Sequence, residues 1–190
     1  MALIDKPFRD LLNAFSSPDP TPGGGSASAL ASSVGVSLLL MVASLPKSKH
    51  NTDEDRAALD AAARALIGLR QQLAEAIDAD TAAYDAVVAA YRHPKETEGE
   101  KQARKDAIQR ALKRATDVPL GVMRLSAEAL KHAGAVTAHG HSGASSDVGV
   151  ATGLLRVGLE GARLNVEINV DSIADAPYVE AVRAEVSRLT

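Results

Sequence analysis

Between Asp19 and Lys47 the chain carries no charged residue. Few structures accept such a run, because a helix that is apolar all round belongs in a protein core or a membrane. On length alone it could cross a hydrocarbon layer of about 30 Å. It opens, however, with Pro20-Thr21-Pro22-Gly23-Gly24-Gly25, which breaks a helix, and six Ser interrupt the remainder from Ser26 to Leu45. The sequence therefore predicts a fully buried helix of a soluble domain, started at Ser26 and ended by Pro46.

The rest of the chain supports an all-α fold. Of 190 residues only 3% are aromatic, Trp is absent, and the apolar share is mostly Ala, Leu and Val. That bias suits helices packed closely through small side chains. Asp5 with Pro7 suggests a short helix whose Phe8, Leu11, Leu12 and Phe15 share a docking face. Thr52 with Asp55 forms a capping pair before a stripe from Leu59 through Leu66, Leu73 and Ile77 toward Tyr91, a helix of about 60 Å. Thr97 with Glu100 caps a charged helix, Asp117 with Pro119 predicts a fresh start and a further helix to His139, Ser146 and Asp147 suit another start, and Asp175 with Pro177 opens the last helix. The expectation is a single domain over 1–190, an elongated bundle of six or seven helices. A 60 Å helix overhangs a domain whose radius of gyration should be about 16 Å, so a second subunit is expected to cover its far half, giving a homodimer.

Charge and composition exclude several partners. A net charge of -3 without a basic stripe, together with few aromatics, argues against nucleic acid. Zero Cys removes disulfides, thiolate nucleophiles and Cys-ligated metals. The opening MALIDKPFRD lacks the order of a secretory signal, so a cytoplasmic protein with no membrane partner is expected. His132, His139 and His141 form no Glu-x-x-His or His-x-x-x-His pair, so no metal site is expected. No Gly-x-Ser-x-Gly elbow accompanies the Ser, His and Asp present.

Three constellations could carry chemistry. Gly23, Gly24, Gly25 and Ser26 before a helix outline a cradle for an anion or carbonyl, or else a flexible turn with a Ser cap. Asp78, Asp80 and Tyr84, with Lys95 after the next turn, could orient a polar ligand or move a proton; a solvated acidic patch is the alternative. Ser146 and Asp147 open a helix near whose end Asn165 and Asn169 stand four apart in an apolar segment, where buried amides need partners. Asp147 and Asn165 lie eighteen residues apart, five turns on one azimuth but about 27 Å along the axis. They serve opposite ends of an elongated ligand, or each joins a separate cluster that can involve another subunit.

These residues carry a resemblance. Pro-Thr-Pro-Gly-Gly-Gly-Ser at 20–26, Asp80 with Tyr84, Arg92-His93-Pro94-Lys95, Asp117-Val118-Pro119-Leu120, Ser146-Asp147 and Leu164-Asn165-Val166-Glu167-Ile168-Asn169 occur in the order seen in the cyclodeaminase/cyclohydrolase family. The chain departs from the family pattern at Ser44-Leu45-Pro46-Lys47-Ser48-Lys49-His50 and at Gly140-His141, both in expected ligand loops. The resemblance implies an all-α dimer, a reduced-folate substrate and no metal or cofactor beyond that tetrahydrofolate. It points to hydrolysis of methenyltetrahydrofolate to formyltetrahydrofolate, with formimidoyltetrahydrofolate cyclodeaminase activity or a non-catalytic folate-binding protein as alternatives. Hydrolysis leads because no formiminotransferase domain is attached. It also implies Asp147 or Asp80 as the catalytic group at the one-carbon unit and Asn165 and Asn169 on polar groups of the substrate. Gly23, Gly24, Gly25, Ser26 and Lys49 would then hold its glutamate carboxylates, with Tyr84, Lys95 and Ser146 as further binding residues.

Overall fold

The computed structural model describes residues 1–46 and 51–190. Among them there are six α-helices, two short 3-10 turns and no strand: α1 (Phe8–Phe15), α2 (Gly24–Ser44), α3 (Asp53–Tyr91), α4 (Glu98–His139), α5 (Ser145–Val170) and α6 (Ala176–Leu189). The all-α expectation holds, and α3 runs the full 39 residues that its apolar stripe predicts. Both capping boxes form: Thr52 with Asp55 opens α3, and Thr97 with Glu100 opens α4. Each closes two otherwise unpaired donors within three residues, which is why both are legible in sequence.

Four long helices make the bundle. α2 packs on α3 and α5, and α4 packs on α3 and α5, around Leu39, Leu66, Leu73, Ile77, Met123 and Leu155. Small residues bring α2 and α5 together: Gly35 stands where a Cβ would meet Ala151 O at 2.8 Å, and a Cβ on Gly158 would meet Ser28 O at 2.7 Å. Serines in α2 satisfy their hydroxyls locally or across the bundle. Ser126 Oγ donates to Val122 O at 2.7 Å, so it is Ser32 Oγ that donates to Ser126 Oγ at 2.7 Å.

Several expectations are corrected. Asp5 caps nothing; it ends a 3-10 turn (Leu3–Asp5), and α1 begins after an N-cap at Pro7. That turn is held instead by Asp78, whose Oδ1 accepts from Leu3 N–H at 2.6 Å. Of the proposed docking face only Leu11 is buried, while Phe8 and Leu12 stay exposed. α2 starts at Gly24 and α5 at Ser145, respectively two and one residues earlier than expected. Helix α2 is not fully buried either. It is apolar enough by length and composition to cross a membrane, with mean hydropathy 1.8, yet in this fold it is one wall of the bundle and Val34 and Met41 face outward.

Pro119 does not restart a helix, because α4 runs unbroken through it for 42 residues. Proline lacks the N–H that would bond the carbonyl four residues back, here Ala115 O. Asn169 Nδ2, from α5, donates to Ala115 O at 2.8 Å and replaces the missing bond. The continuous α4 also covers the far half of α3, where Ala90, Ile108, Leu112 and Ile173 form a second small core. A second subunit is therefore not needed to cover that overhang.

Helix α6 is strapped onto α4 by Lys113 Nζ–Asp175 Oδ2 and Arg124 Nε–Glu185 Oε1, both 2.6 Å, and by Tyr178 Oη donating to Asp117 Oδ1 at 2.7 Å.

Candidate functional site

Helix α2 begins with Gly24 after an N-cap at Gly23 that supplies no side chain, so its first amides need an outside acceptor. Asp80 of α3 provides one. Its Oδ2 accepts from Ser26 N–H at 2.8 Å and lies 3.1 Å from Ser26 Oγ, while Ser26 Oγ donates to Ile77 O at 2.8 Å. Gly25 makes this approach possible: a Cβ there would collide with the Asp80 carboxylate. Gly25 and the Ser26 amide thus seat a carboxylate, and that carboxylate is the chain's own. This corrects the open cradle expected from sequence, because the occupying carboxylate arrives from 54 residues along the chain, where local reading could not see it.

Burial raises the pKa of Asp80, while the Ser26 hydroxyl and amide pull it down. The Ser26 hydroxyl has one proton and three oxygens within reach, Ile77 O, Asp80 Oδ2 and, at 3.4 Å, Thr81 Oγ1. A proton on Asp80 completes that set, so the site suits a group that gains and loses a proton.

Above this carboxylate lies a cleft of about 430 Å³ bounded by Gly23, Gly24, Gly25, Asp80, Tyr84, Asn165 and Asn169. Val87, Leu112, Ala115 and Ile168 supply an apolar side, and Pro20, Thr21 and Ser172 complete the rim. Ser26 is buried behind Asp80. Asn165 Nδ2 donates to Gly161 O of its own helix at 2.8 Å, and a Cβ on Gly24 would come within 3.3 Å of it. A mostly apolar pocket with a few convergent polar groups and a perturbed carboxylate is the form expected of a small-molecule site. Sequence reading missed the apolar lining, yet one member had a signal: the carbonyl four residues before Pro119 had to find a partner, which places Ala115 beside a side-chain donor.

Other expected residues lie elsewhere. Ser146 and Asp147 sit in the first turn of α5, at the opposite end of the bundle from Asn165. Near them a cleft of about 300 Å³ is lined by Thr137, His141, Ser142, Ser145 and Thr152. Lys95 is exposed between α3 and α4 and does not line the Asp80 cleft. Lys49 lies outside the described residues. The three histidines are separately engaged: His132 lies 3.5 Å from Glu128, His139 lies 3.1 Å from Asp55, and His141 Nδ1 accepts from Gly143 N–H at 3.1 Å. A larger cleft of about 630 Å³ between α5 and α6 holds Glu160, Arg163, Glu167, Asp171 and Arg183. Those charges pair with one another, half-buried Arg163 with exposed Glu160 and Glu167, and exposed Arg183 with Asp171 at 3.3 Å. Volume alone does not favour it over the cleft that contains the half-buried Asp80, whose pKa burial raises.

Comparison with known proteins agrees with this fold. The family model for formiminotransferase-cyclodeaminase matches residues 7–188. A methenyltetrahydrofolate cyclohydrolase of Methylorubrum extorquens is 40% identical over 169 residues, 89% of this chain and 81% of that protein. A formimidoyltransferase-cyclodeaminase of Sus scrofa is 30% identical over 192 residues, 99% of this chain but 35% of that longer protein. The crystal structure of a formiminotetrahydrofolate cyclodeaminase from Thermotoga maritima superposes with a TM-score of 0.86 over 97% of this chain and 88% of that one, at 23% identity, which shows the fold.

Proposed function

The chain belongs to the formiminotransferase-cyclodeaminase family, and on that premise we propose that it is a folate one-carbon enzyme, a cytoplasmic homodimer that hydrolyses methenyltetrahydrofolate to formyltetrahydrofolate. The observation that carries the reading is the half-buried Asp80 carboxylate at the floor of the cleft, in a chain 40% identical to a methenyltetrahydrofolate cyclohydrolase over most of both lengths.

The substrate's methenyl bridge is a delocalised amidinium cation between two nitrogens. Ionised Asp80 stabilises that charge and takes a proton from the attacking water, whose oxygen bonds to the one-carbon unit. Protonated Asp80 then returns its proton to the departing nitrogen as that C–N bond breaks. The carbinol hydroxyl releases its own proton to solvent and becomes the formyl oxygen. Atoms balance: substrate cation and water give formyl product and one proton. Asn165 and Asn169 offer amide groups to the polar parts of the substrate, and Tyr84 with the apolar side accepts its ring. The route needs no cofactor beyond the tetrahydrofolate itself.

A second reading, cyclodeaminase, is favoured by the raised pKa of Asp80, which suits a proton donor to leaving ammonia, and by the likeness to the bifunctional proteins. An ultraviolet assay of purified protein separates the two. Loss of methenyltetrahydrofolate absorbance above the spontaneous rate supports hydrolysis; growth of that absorbance from formimidoyltetrahydrofolate supports cyclodeamination. A protein that binds reduced folate and turns over neither substrate is the non-catalytic alternative.

A further inference from the structure

A proline inside a long helix leaves a carbonyl without its donor, and the buried Pro119 of α4 does this to Ala115 O. The replacement comes from Asn169 of α5, whose Nδ2 donates to Ala115 O at 2.8 Å. That bond decides which way the carboxamide faces. Turning it over would set Asn169 Oδ1 against Ala115 O, two acceptors with no proton between them, and would leave a half-buried carbonyl unpaired. The amide nitrogen is therefore held at α4, and the oxygen is the end left over.

Asn169 and Ala115 both border the Asp80 cleft. Asn169 Oδ1 has no hydrogen-bond partner among the described residues, where no buried side-chain nitrogen or oxygen lacks one, so this oxygen is open to the cleft. Asn165, one turn back on α5, is anchored in the same sense, with Nδ2 on Gly161 O at 2.8 Å. We propose that Pro119 makes Asn169 a fixed hydrogen-bond acceptor, and that this acceptor selects a ligand ring that presents an N–H to it over one that presents a lone pair.

With the cleft read as the folate site, on which this rests, the ring atom can be named. Reduction of a pterin turns two ring nitrogens, N5 and N8, from acceptors into donors. N5 is tied into the methenyl bridge, whereas N8 keeps its N–H before and after the bridge opens. In the fully oxidised ring N8 carries only a lone pair. An N8–H meets the Asn169 oxygen with a hydrogen bond; an oxidised N8 meets it lone pair to lone pair, and the amide cannot turn to offer its nitrogen without unpairing Ala115 O. The discrimination is thus a built-in mismatch against the wrong ligand. Pro119 does not line the cleft, so it acts through Asn169 as a positioning residue. An asparagine free to turn would accept either ring.

7,8-Dihydrofolate and folic acid isolate this contact, because they differ only across the C7–N8 bond, with N8–H in the first and a lone pair in the second. In titration calorimetry the wild-type protein should bind dihydrofolate about tenfold more tightly or better, the discrimination expected when the wrong ligand leaves a polar group unpaired. Pro119→Ala gives Ala115 O a backbone N–H and frees the Asn169 amide to turn. It should bind folic acid about tenfold more tightly than wild type, while dihydrofolate affinity moves by less than about threefold. Adding Asn169→Asp to Pro119→Ala puts an ionised group there that only accepts, and should restore the preference. A wild type without the preference, a Pro119→Ala protein that keeps it, or a double variant that does not regain it overturns the proposal. In wild-type protein, NMR should show a scalar coupling across the hydrogen bond from Asn169 Nδ2 to the Ala115 carbonyl carbon; its absence overturns the proposal whatever binds. The coupling with neither folate bound overturns the folate reading and leaves the fixed acceptor standing.

Discussion

Asp80 occupies a position where burial and hydrogen bonding oppose each other, and burial wins, so its pKa stands above the ordinary aspartate value. The consequence for stability has a definite sign. Between the ordinary value and the raised one, the native state binds more protons than the unfolded chain, so stability falls as pH rises through that window and is recovered as pH falls below it. Asp80→Asn keeps an oxygen to accept from Ser26 N–H and removes the charge. It should flatten that part of the stability-versus-pH curve without lowering the melting temperature at neutral pH, while turnover falls on the order of a hundredfold or more. Thermal melts across pH, read beside the ultraviolet assay, check both; a variant retaining turnover removes Asp80 from the mechanism. Gly25→Ala tests the same carboxylate from the other side. Its Cβ cannot coexist with Asp80 in place, so turnover should drop about as far, with helical circular dichroism near wild type. The glycines and Asp80 each stood out in sequence as functional residue types. What the sequence did not contain was the 54-residue contact that turns an anion cradle into a carboxylate holder.

Helix boundaries were legible where the physics is local. The Thr52–Asp55 and Thr97–Glu100 boxes close within one turn, and the helices begin where those residues say. Pro119 was misread because the bond that lets α4 continue comes from Asn169, 54 residues away. The same bond explains Asn169 in an apolar stretch without invoking the ligand, although the residue also lines the cleft. The two roles separate in a double-mutant cycle. Asn169→Ala should cost about 1–3 kcal/mol by leaving Ala115 O unpaired in a half-buried place. In a Pro119→Ala background the helix supplies its own N–H to that carbonyl, so the stability cost of Asn169→Ala should shrink to a few tenths of a kcal/mol while any loss of folate affinity persists. Chemical denaturation of the four proteins measures the coupling, and equal costs in both backgrounds would remove Asn169 as the stand-in donor.

At the scale of the whole molecule, the overhang of α3 is covered by α4, yet α2 and α5 present an uncharged face to solvent. The sequence expectation of a dimer rested on that overhang, which α4 covers within one chain. Periodicity locates apolar rows but not which of them another helix of the same chain will take, and α4 takes the α3 row because Pro119 does not stop it. A second copy binding only the folded state stabilises it by mass action, so the melting temperature should rise with protein concentration. If that face joins the two copies of the proposed homodimer, Val157→Glu places a carboxylate in its middle, where association would desolvate it without a counter-charge. Val157 is 62% exposed in the single chain, so the substitution should leave the fold itself intact. The variant should sediment as a monomer at micromolar concentration with wild-type helical circular dichroism, and melt lower and at a temperature independent of concentration. A Val157→Glu protein that stays dimeric, or a wild-type melting temperature that ignores concentration, would remove the α2–α5 face as the contact.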